Sequence, residues 1–306
     1  MNIMYLCYIN NRIIIIAEVI NMIKNNFLSV AMFQLRLKIK CVPTHDYLIV
    51  DEDYLEQMNR AIEVIQTLNP DIAIFPEMSY QTRYDDVFKE LSKSGKLIVF
   101  GSTYIGNINY TIVFEDGHLR KIAKMFPCGS EPMVRFIPKI DVTEFLDKHL
   151  ASHEVTVKGN KFYILNCLEY YEAAYIIARN SSLASDLFGF IVPCSNSNPK
   201  VFMDESKALH NHNEFIYSFV CNRVKDDFSH KYGKSYIYGP IQYHEKDWLT
   251  EEGIISDEHN ASILKLDTKT PSYAYGHFAD GRELSRFGRS DNYLNTPLNV
   301  IVKNLL

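Results

Sequence analysis

Short apolar runs, unbroken by alternation and separated by stretches of helical periodicity, constrain this chain more than any other feature. Ile72-Ala73-Ile74-Phe75, Leu97-Ile98-Val99-Phe100 and Phe190-Ile191-Val192 are too short for helices and too uniformly apolar for strands with one wet face. Such runs suit strands buried on both sides. Between them, Leu55, Met58, Ile62 and Ile65 recur at helical spacing within 51–68, and Asn69-Pro70 ends that helix. Further helices are expected over 82–93, 170–179 and 203–213, the first of these closed by Gly95. A first core strand is expected at 28–36 and others at 215–221 and 235–238, with Ile263–Leu266 as the last of the domain. Two hairpins interrupt the alternation: Asp116-Gly117 joins 110–114 to 118–124, and Gly159-Asn160 joins 153–158 to 161–166. Frequent hairpins exclude a purely parallel doubly wound sheet. They favour a mixed sheet, or two sheets, with helices on the outer faces.

No repeat, low-complexity run or Gly/Ser-rich linker divides the 306 residues, so one large domain is expected over 27–268. Residues 1–26 read as an N-terminal extension, and 269–306 as a tail that packs on the domain or on a partner subunit. The extension holds an apolar stretch from Arg12 to Lys24, broken by Glu18 and Asn21. It falls short of the roughly 20 apolar residues of a membrane span, and Asn25-Asn26-Phe27-Leu28 is no signal-peptide cleavage site. It is therefore expected to be amphipathic and to lie on the domain or a partner. Lys+Arg 32 against Asp+Glu 37 gives a net charge of −5, which excludes an overall basic field for nucleic acid. The six cysteines are scattered and form no CxxC pair, the pattern of reduced thiols in a cytoplasmic protein.

Three places put a chemically capable residue just past an expected strand. Glu77 follows Ile72–Phe75 and Pro76, the half-dry setting that suits a general base. Lys121 and Lys124 stand on and after the second strand of the first hairpin. Cys167 ends the strand Phe162–Leu165 and opens a helix. A thiol at such an elbow sits near backbone N–H groups and a helix N-terminus, which favour the nucleophilic thiolate. Singly, each has a plainer explanation: a solvated loop carboxylate, a charged strand edge, a small core thiol. The chemistry lies in the three together, in this order. The rival is a metal site among the histidines His210, His212, His230, His244, His259 and His277, but His210 and His212, two apart on a helix, point different ways and would share an ion only on an extended segment.

In this order and spacing the chain resembles the nitrilase, or carbon–nitrogen hydrolase, superfamily, whose Glu–Lys–Cys triad stands near the ends of central strands. Ile74-Phe75-Pro76-Glu77 matches the family's Glu segment. Lys124, seven residues after Gly117, matches its Lys better than Lys121 does. Glu131, in Gly129-Ser130-Glu131-Pro132, fits a second family Glu, and Cys167-Leu168-Glu169 fits the nucleophile segment. Val99–Ser102 with Asn109-Tyr110, Asp186–Pro193, Asn222-Arg223 and Tyr232–Ser235 with Pro240 extend the resemblance over about residues 28–268. The chain diverges at Phe126, where the family has His, at Tyr170-Tyr171-Glu172 and at Asn196-Ser197-Asn198.

The resemblance implies an α/β fold built as a four-layer α-β-β-α sandwich, usually paired into a homodimer or a higher homo-oligomer. It implies a hydrolase acting on a non-peptide carbon–nitrogen bond of a small amide, carbamoyl or nitrile substrate, amidase-like rather than a nitrilase proper. Glu77 would be the base, Cys167 the nucleophile, Lys124 the stabiliser of negative charge, and Glu131 would hold Lys124 or the substrate. The chemistry requires no metal or cofactor. The alternative is a catalytically silent binding or regulatory module on the same fold.

Overall fold

Strand β1 (Leu28–Gln34) buries all seven of its residues. Burial on both faces requires a layer on each side. Val30 and Met32 join one apolar cluster, whereas the intervening Ala31 and Phe33 join another, the alternation that strand geometry imposes. The computed structural model describes residues 27–41, 47–49, 53–105, 108–128, 140–213, 215–225, 232–240, 254–256, 261–265, 270–278, 280, 282 and 301–306. The expected extension 1–26 and Glu131 lie outside these residues.

The first half of the chain adds β2 (Ile72–Phe75), β3 (Leu97–Ile105), β4 (Ile108–Glu115) and β5 (His118–Ala123). Next come β6 (Glu154–Val157), β7 (Asn160–Ile164), β8 (Leu187–Cys194), β9 (Tyr217–Asn222), β10 (Tyr236–Pro240), β11 (Ile254–Ser256) and β12 (Ala261–Lys265). The last strands are β13 (Ser272–Phe278) and β14 (Ile301–Asn304). Among the described residues these make two seven-stranded sheets, ordered β14-β13-β1-β2-β3-β4-β5 and β11-β12-β10-β9-β8-β7-β6. Both are mixed. β1, β2 and β3 run parallel at the centre of one, and β7, β8 and β9 run parallel in the other. Hairpins flank each parallel core.

Helices close the outer faces. α1 (Tyr54–Leu68) and α2 (Asp85–Ser92) cover the first sheet through Met58, Ala61, Ile65 and Phe88. α3 (Val142–Lys148), α4 (Leu168–Arg179) and α5 (Pro199–His212) cover the second through Phe145, Ala173, Ile177 and Phe202. A third cluster, with Ile72, Ile74 and Val99 facing Phe162, Ile164 and Phe219, fills the space between the sheets. Three apolar interfaces between four layers make an α-β-β-α sandwich. Among the described residues no helix is long and apolar enough to cross a membrane.

One expectation fails. Ile263–Leu266 is not the last strand of the domain, because β13 pairs antiparallel with β1 from Leu28↔Phe278 to Gln34↔Ser272, and β14 pairs in turn with β13. The tail expected over 269–306 thus supplies part of the sheet, and its aromatics Tyr273, Tyr275 and Phe278 are buried at 6%, 9% and 6% exposure. Small residues between the aromatics of Ser272-Tyr273-Ala274-Tyr275-Gly276 hide the strand from a reading by apolar runs.

Candidate active site

The C-terminal ends of β2, β5 and β7 carry Glu77, Lys124 and Cys167. Glu77, two residues past β2, is 3% exposed. Its Oε1 accepts from the Ser102 hydroxyl at 2.8 Å and from the Lys124 ammonium at 3.1 Å. The Lys124 side chain has no exposed surface, so this is a buried ion pair. The Lys124 backbone N–H, just past β5, donates to the Asn109 carbonyl at 2.8 Å. Lys121, the other candidate, is exposed on β5.

A bulge in β3 brings Ser102 within reach. The register with β4 slips between Phe100 and Thr103, and a bulge of this kind re-aims side chains. The Ser102 carbonyl also accepts from Met78 N–H at 2.8 Å. Gly101, beside it, allows a close approach: a β-carbon there would lie 2.5 Å from Glu77 N and 2.7 Å from Pro193 Cβ. Gly101→Ala must therefore push the Glu77 backbone off its place. The expected result is a destabilisation of about 1–3 kcal/mol, as for other overpacked cores, with a loss of turnover larger than that change in stability would cause. Urea unfolding and a rate assay on the same preparation check both.

Cys167 stands between β7 and α4 at φ 54° and ψ −108°. A non-glycine residue there stores about 1–3 kcal/mol of backbone strain, a condition that clusters at functional sites. Met78, next to Glu77, also has a positive φ, 65°. Cys167 is the N-cap residue of α4 and is 8% exposed. Its N–H donates to the Pro193 carbonyl at 3.0 Å, and the Glu77 N–H donates to the Cys194 carbonyl at 3.3 Å. The backbones of Glu77 and Cys167 thus hang on consecutive carbonyls at the end of β8. Burial pushes the Cys194 thiol well above its ordinary pKa, reinforced by Cys167, Glu77 and Cys221 and opposed by Lys124. One buried thiol therefore feels all three residues singled out from the sequence.

Glu169 does more than its place beside Cys167 suggested. It is 1% exposed. Oε1 accepts from Met125 N–H at 2.6 Å and Oε2 from Asn166 N–H at 2.9 Å. The carboxylate therefore clamps the residue after Lys124 to the residue before Cys167. Asn166 adds a link between the sheets, its Nδ2 donating to Thr111 Oγ1 at 3.0 Å. At the second sheet's end, Asn222 Oδ1 accepts from Asn196 N–H at 2.9 Å, and Asn222 Nδ2 donates to Gly233 O at 2.8 Å.

His153, 1% exposed, places Nε2 3.5 Å from Glu169 Oε1. Burial alone would lower its pKa, but the Glu169 carboxylate and the His149 carbonyl, 3.1 Å from Nδ1, together outweigh burial and the net shift is upward. A folded-state pKa raised above the ordinary value of about 6.5 contributes stability that is complete below that value. That stability disappears as pH rises through the folded pKa. Wild-type melting temperature should therefore fall on going from about pH 6 to the alkaline side, and His153→Gln should remove that component. Thermal melts of both proteins across this range check the sign.

No protein-family model matches the sequence, and no curated protein matches it. Among solved structures, the chain is similar to the glutamine-dependent NAD+ synthetase from Acinetobacter baumannii, at 17% identity and a TM-score of 0.46, over 82% of this chain and 45% of that one. It therefore spans less than half of the synthetase's length. It is also similar to a double mutant of the amidase from Nesterenkonia sp. AN1 in complex with acrylamide, at 12% identity and a TM-score of 0.47, covering 79% and 91%. A carbon–nitrogen hydrolase from Helicobacter pylori G27 is similar at 13% identity and a TM-score of 0.47, covering 79% and 90%. At these identities the reading of the site stands on its own geometry.

Proposed function

We propose that the chain is a divergent member of the nitrilase, or carbon–nitrogen hydrolase, superfamily. It hydrolyses a non-peptide carbon–nitrogen bond of a small amide-type substrate, in the manner of an amidase rather than a nitrilase proper. The observation that carries the reading is the buried Glu77–Lys124 pair, with Glu77 and the strained Cys167 held on neighbouring carbonyls of β8.

Glu77 takes the proton from Cys167, whose thiolate attacks the substrate carbonyl carbon. Lys124 and the backbone N–H of Leu168, at the start of α4, stabilise the oxyanion of the tetrahedral intermediate. Glu77 then returns the proton to the departing amine and a thioester forms on Cys167. Glu77 next draws a proton from water, which attacks the thioester and frees the acid. Fixed groups of this kind lower the barrier chiefly by needing no rearrangement during the reaction. Glu131 completes the set by holding Lys124 or the substrate.

Ammonia release from a panel of small amides, carbamoyl compounds and nitriles tests the reading, with iodoacetamide labelling alongside. The expected result is turnover of an amide and selective alkylation of Cys167. Alkylation without turnover of any member would favour a silent binding module. The working form is expected to be a homodimer or a higher homo-oligomer located in the cytoplasm. α4 exposes Tyr171 and Ile176, at 45% and 42%, apolar area that a second subunit would cover. Sedimentation at tens of micromolar should show at least a dimer, and a monomer would remove this part of the reading.

A further inference from the structure

Cys194 has no part in the chemistry above, yet it lies beside the residue that does. β7 and β8 run parallel, with Ile164 opposite Ile191. Their bonding continues past the ladder: Leu165 N–H donates to Ile191 O and Cys167 N–H to Pro193 O, both at 3.0 Å. In a parallel pair, a residue donating to the carbonyl of one partner lies opposite the next. The bond to Pro193 therefore sets Cys167 opposite Cys194, the same offset of 27 that pairs Ile164 with Ile191. Neighbouring strands lie about 4.8 Å apart, and disulfides bridge α-carbons about 4.4–6.8 Å apart. Both side chains also belong to the apolar cluster under α4 and α5.

We propose that Cys194 is a resolving thiol, and that a hydroperoxide converts Cys167 and Cys194 into a reversible disulfide that switches the site off. The proposal rests on the reading of Cys167 as a reactive thiolate, though not on which carbon–nitrogen bond it cleaves. The two thiols are unequal in the way the role needs. Cys167 caps a helix N-terminus and keeps some exposure, whereas Cys194 is 1% exposed and burial holds it in the thiol form. Cys167 and Glu77 also help to raise the pKa of Cys194.

The steps balance with hydrogen peroxide as oxidant. The Cys167 thiolate attacks one peroxide oxygen, a sulfur–oxygen bond forms, the oxygen–oxygen bond breaks, and hydroxide leaves. The Cys194 sulfur then attacks the sulfenic sulfur of Cys167. A sulfur–sulfur bond forms, the sulfur–oxygen bond breaks, and the oxygen departs as water with the proton that Cys194 gives up. The pair loses two electrons, which reduce the peroxide. Capture by Cys194 keeps Cys167 from the irreversible sulfinic and sulfonic states, and a dithiol restores both residues by exchange.

The test treats the full chain with hydrogen peroxide, alkylates remaining thiols with iodoacetamide, digests without reduction and identifies peptides by mass. The expected product joins the Cys167 and Cys194 peptides, is lighter than their sum by two hydrogens, and disappears with dithiothreitol. In Cys194→Ser and Cys194→Ala, either of which serves if the other folds poorly, the same treatment should carry Cys167 to the sulfinic acid. Dithiothreitol should then restore alkylation of Cys167 in wild type only. Over-oxidation of wild-type Cys167 without a cross-link, or a cross-link from Cys167 to Cys128 or Cys221, overturns the proposal. Fast alkylation of Cys167 in the untreated protein separates that outcome from a failure of the nucleophile reading. A Cys167 inert to both reagents removes the two together.

Discussion

Cys167→Ala is expected to leave the fold intact and to lower turnover by more than about a thousandfold, the scale on which removal of a nucleophile acts. The change removes one sulfur from a side chain that is 8% exposed. As a small truncation it should shift stability by no more than about 1–2 kcal/mol. The backbone strain at φ 54° persists, because alanine also has a β-carbon. Chemistry suffers far more, since no thioester forms without sulfur. Cys167→Ser should fare little better, because a carboxylate base does not ionise a hydroxyl as it can a thiol. The control is Cys221→Ala. That thiol donates to the Phe33 carbonyl at 3.2 Å inside the core, so its loss should lower stability and spare the rate. An activity that survives Cys167→Ala would sink the mechanism whatever substrate is found.

The second large effect comes from the buried pair. Lys124→Met removes the cation and leaves the Glu77 carboxylate with the hydrogen bond from the Ser102 hydroxyl. Breaking a buried ion pair from one side costs about 3–5 kcal/mol, a large part of the usual stability of a domain. Turnover should also fall by about a hundred- to a thousandfold, the effect of losing one donor to a developing oxyanion. The double variant Glu77→Gln/Lys124→Met separates the two losses. With no charge left buried, it should recover most of the stability of Lys124→Met. It should remain inactive, because the amide of Gln neither accepts nor returns a proton. Denaturant unfolding with a rate assay on the four corners of this cycle gives both answers. Full stability in Lys124→Met would mean that the pair is not held as tightly as its 3.1 Å separation implies.

The fold's central strands were legible because burial on both faces leaves a local mark. Ile72–Phe75 falls on its expected residues, and the run Leu97–Phe100 is the start of the longer β3, whose bulged second half pairs with β4. β13 left no such mark, since its burial comes from pairing with β1 more than 230 residues earlier, a partnership that no local window contains. The same division runs through the site. Glu77 and Cys167 could be picked out because each follows an apolar run, and Lys124 because it stands seven residues after the hairpin glycine Gly117. The clamp made by Glu169 and the place of Cys194 opposite Cys167 depend on how strand ends meet across the sheets. Glu131 had a motif to recommend it, but it lies outside the described residues and stays a proposal.

The pairing of β1 with β13 matters before the protein is finished. On a ribosome β1 is made long before β13 and can be joined on one side by β2, but its other edge waits until Ser272–Phe278 has been made. Until then a strand that the finished fold buries at every residue carries an open row of backbone donors and acceptors, the arrangement that recruits strands from other chains. Strands made much later therefore guard β1. A chain released before Phe278 should be lost to aggregation even though every residue of the candidate site has already been translated.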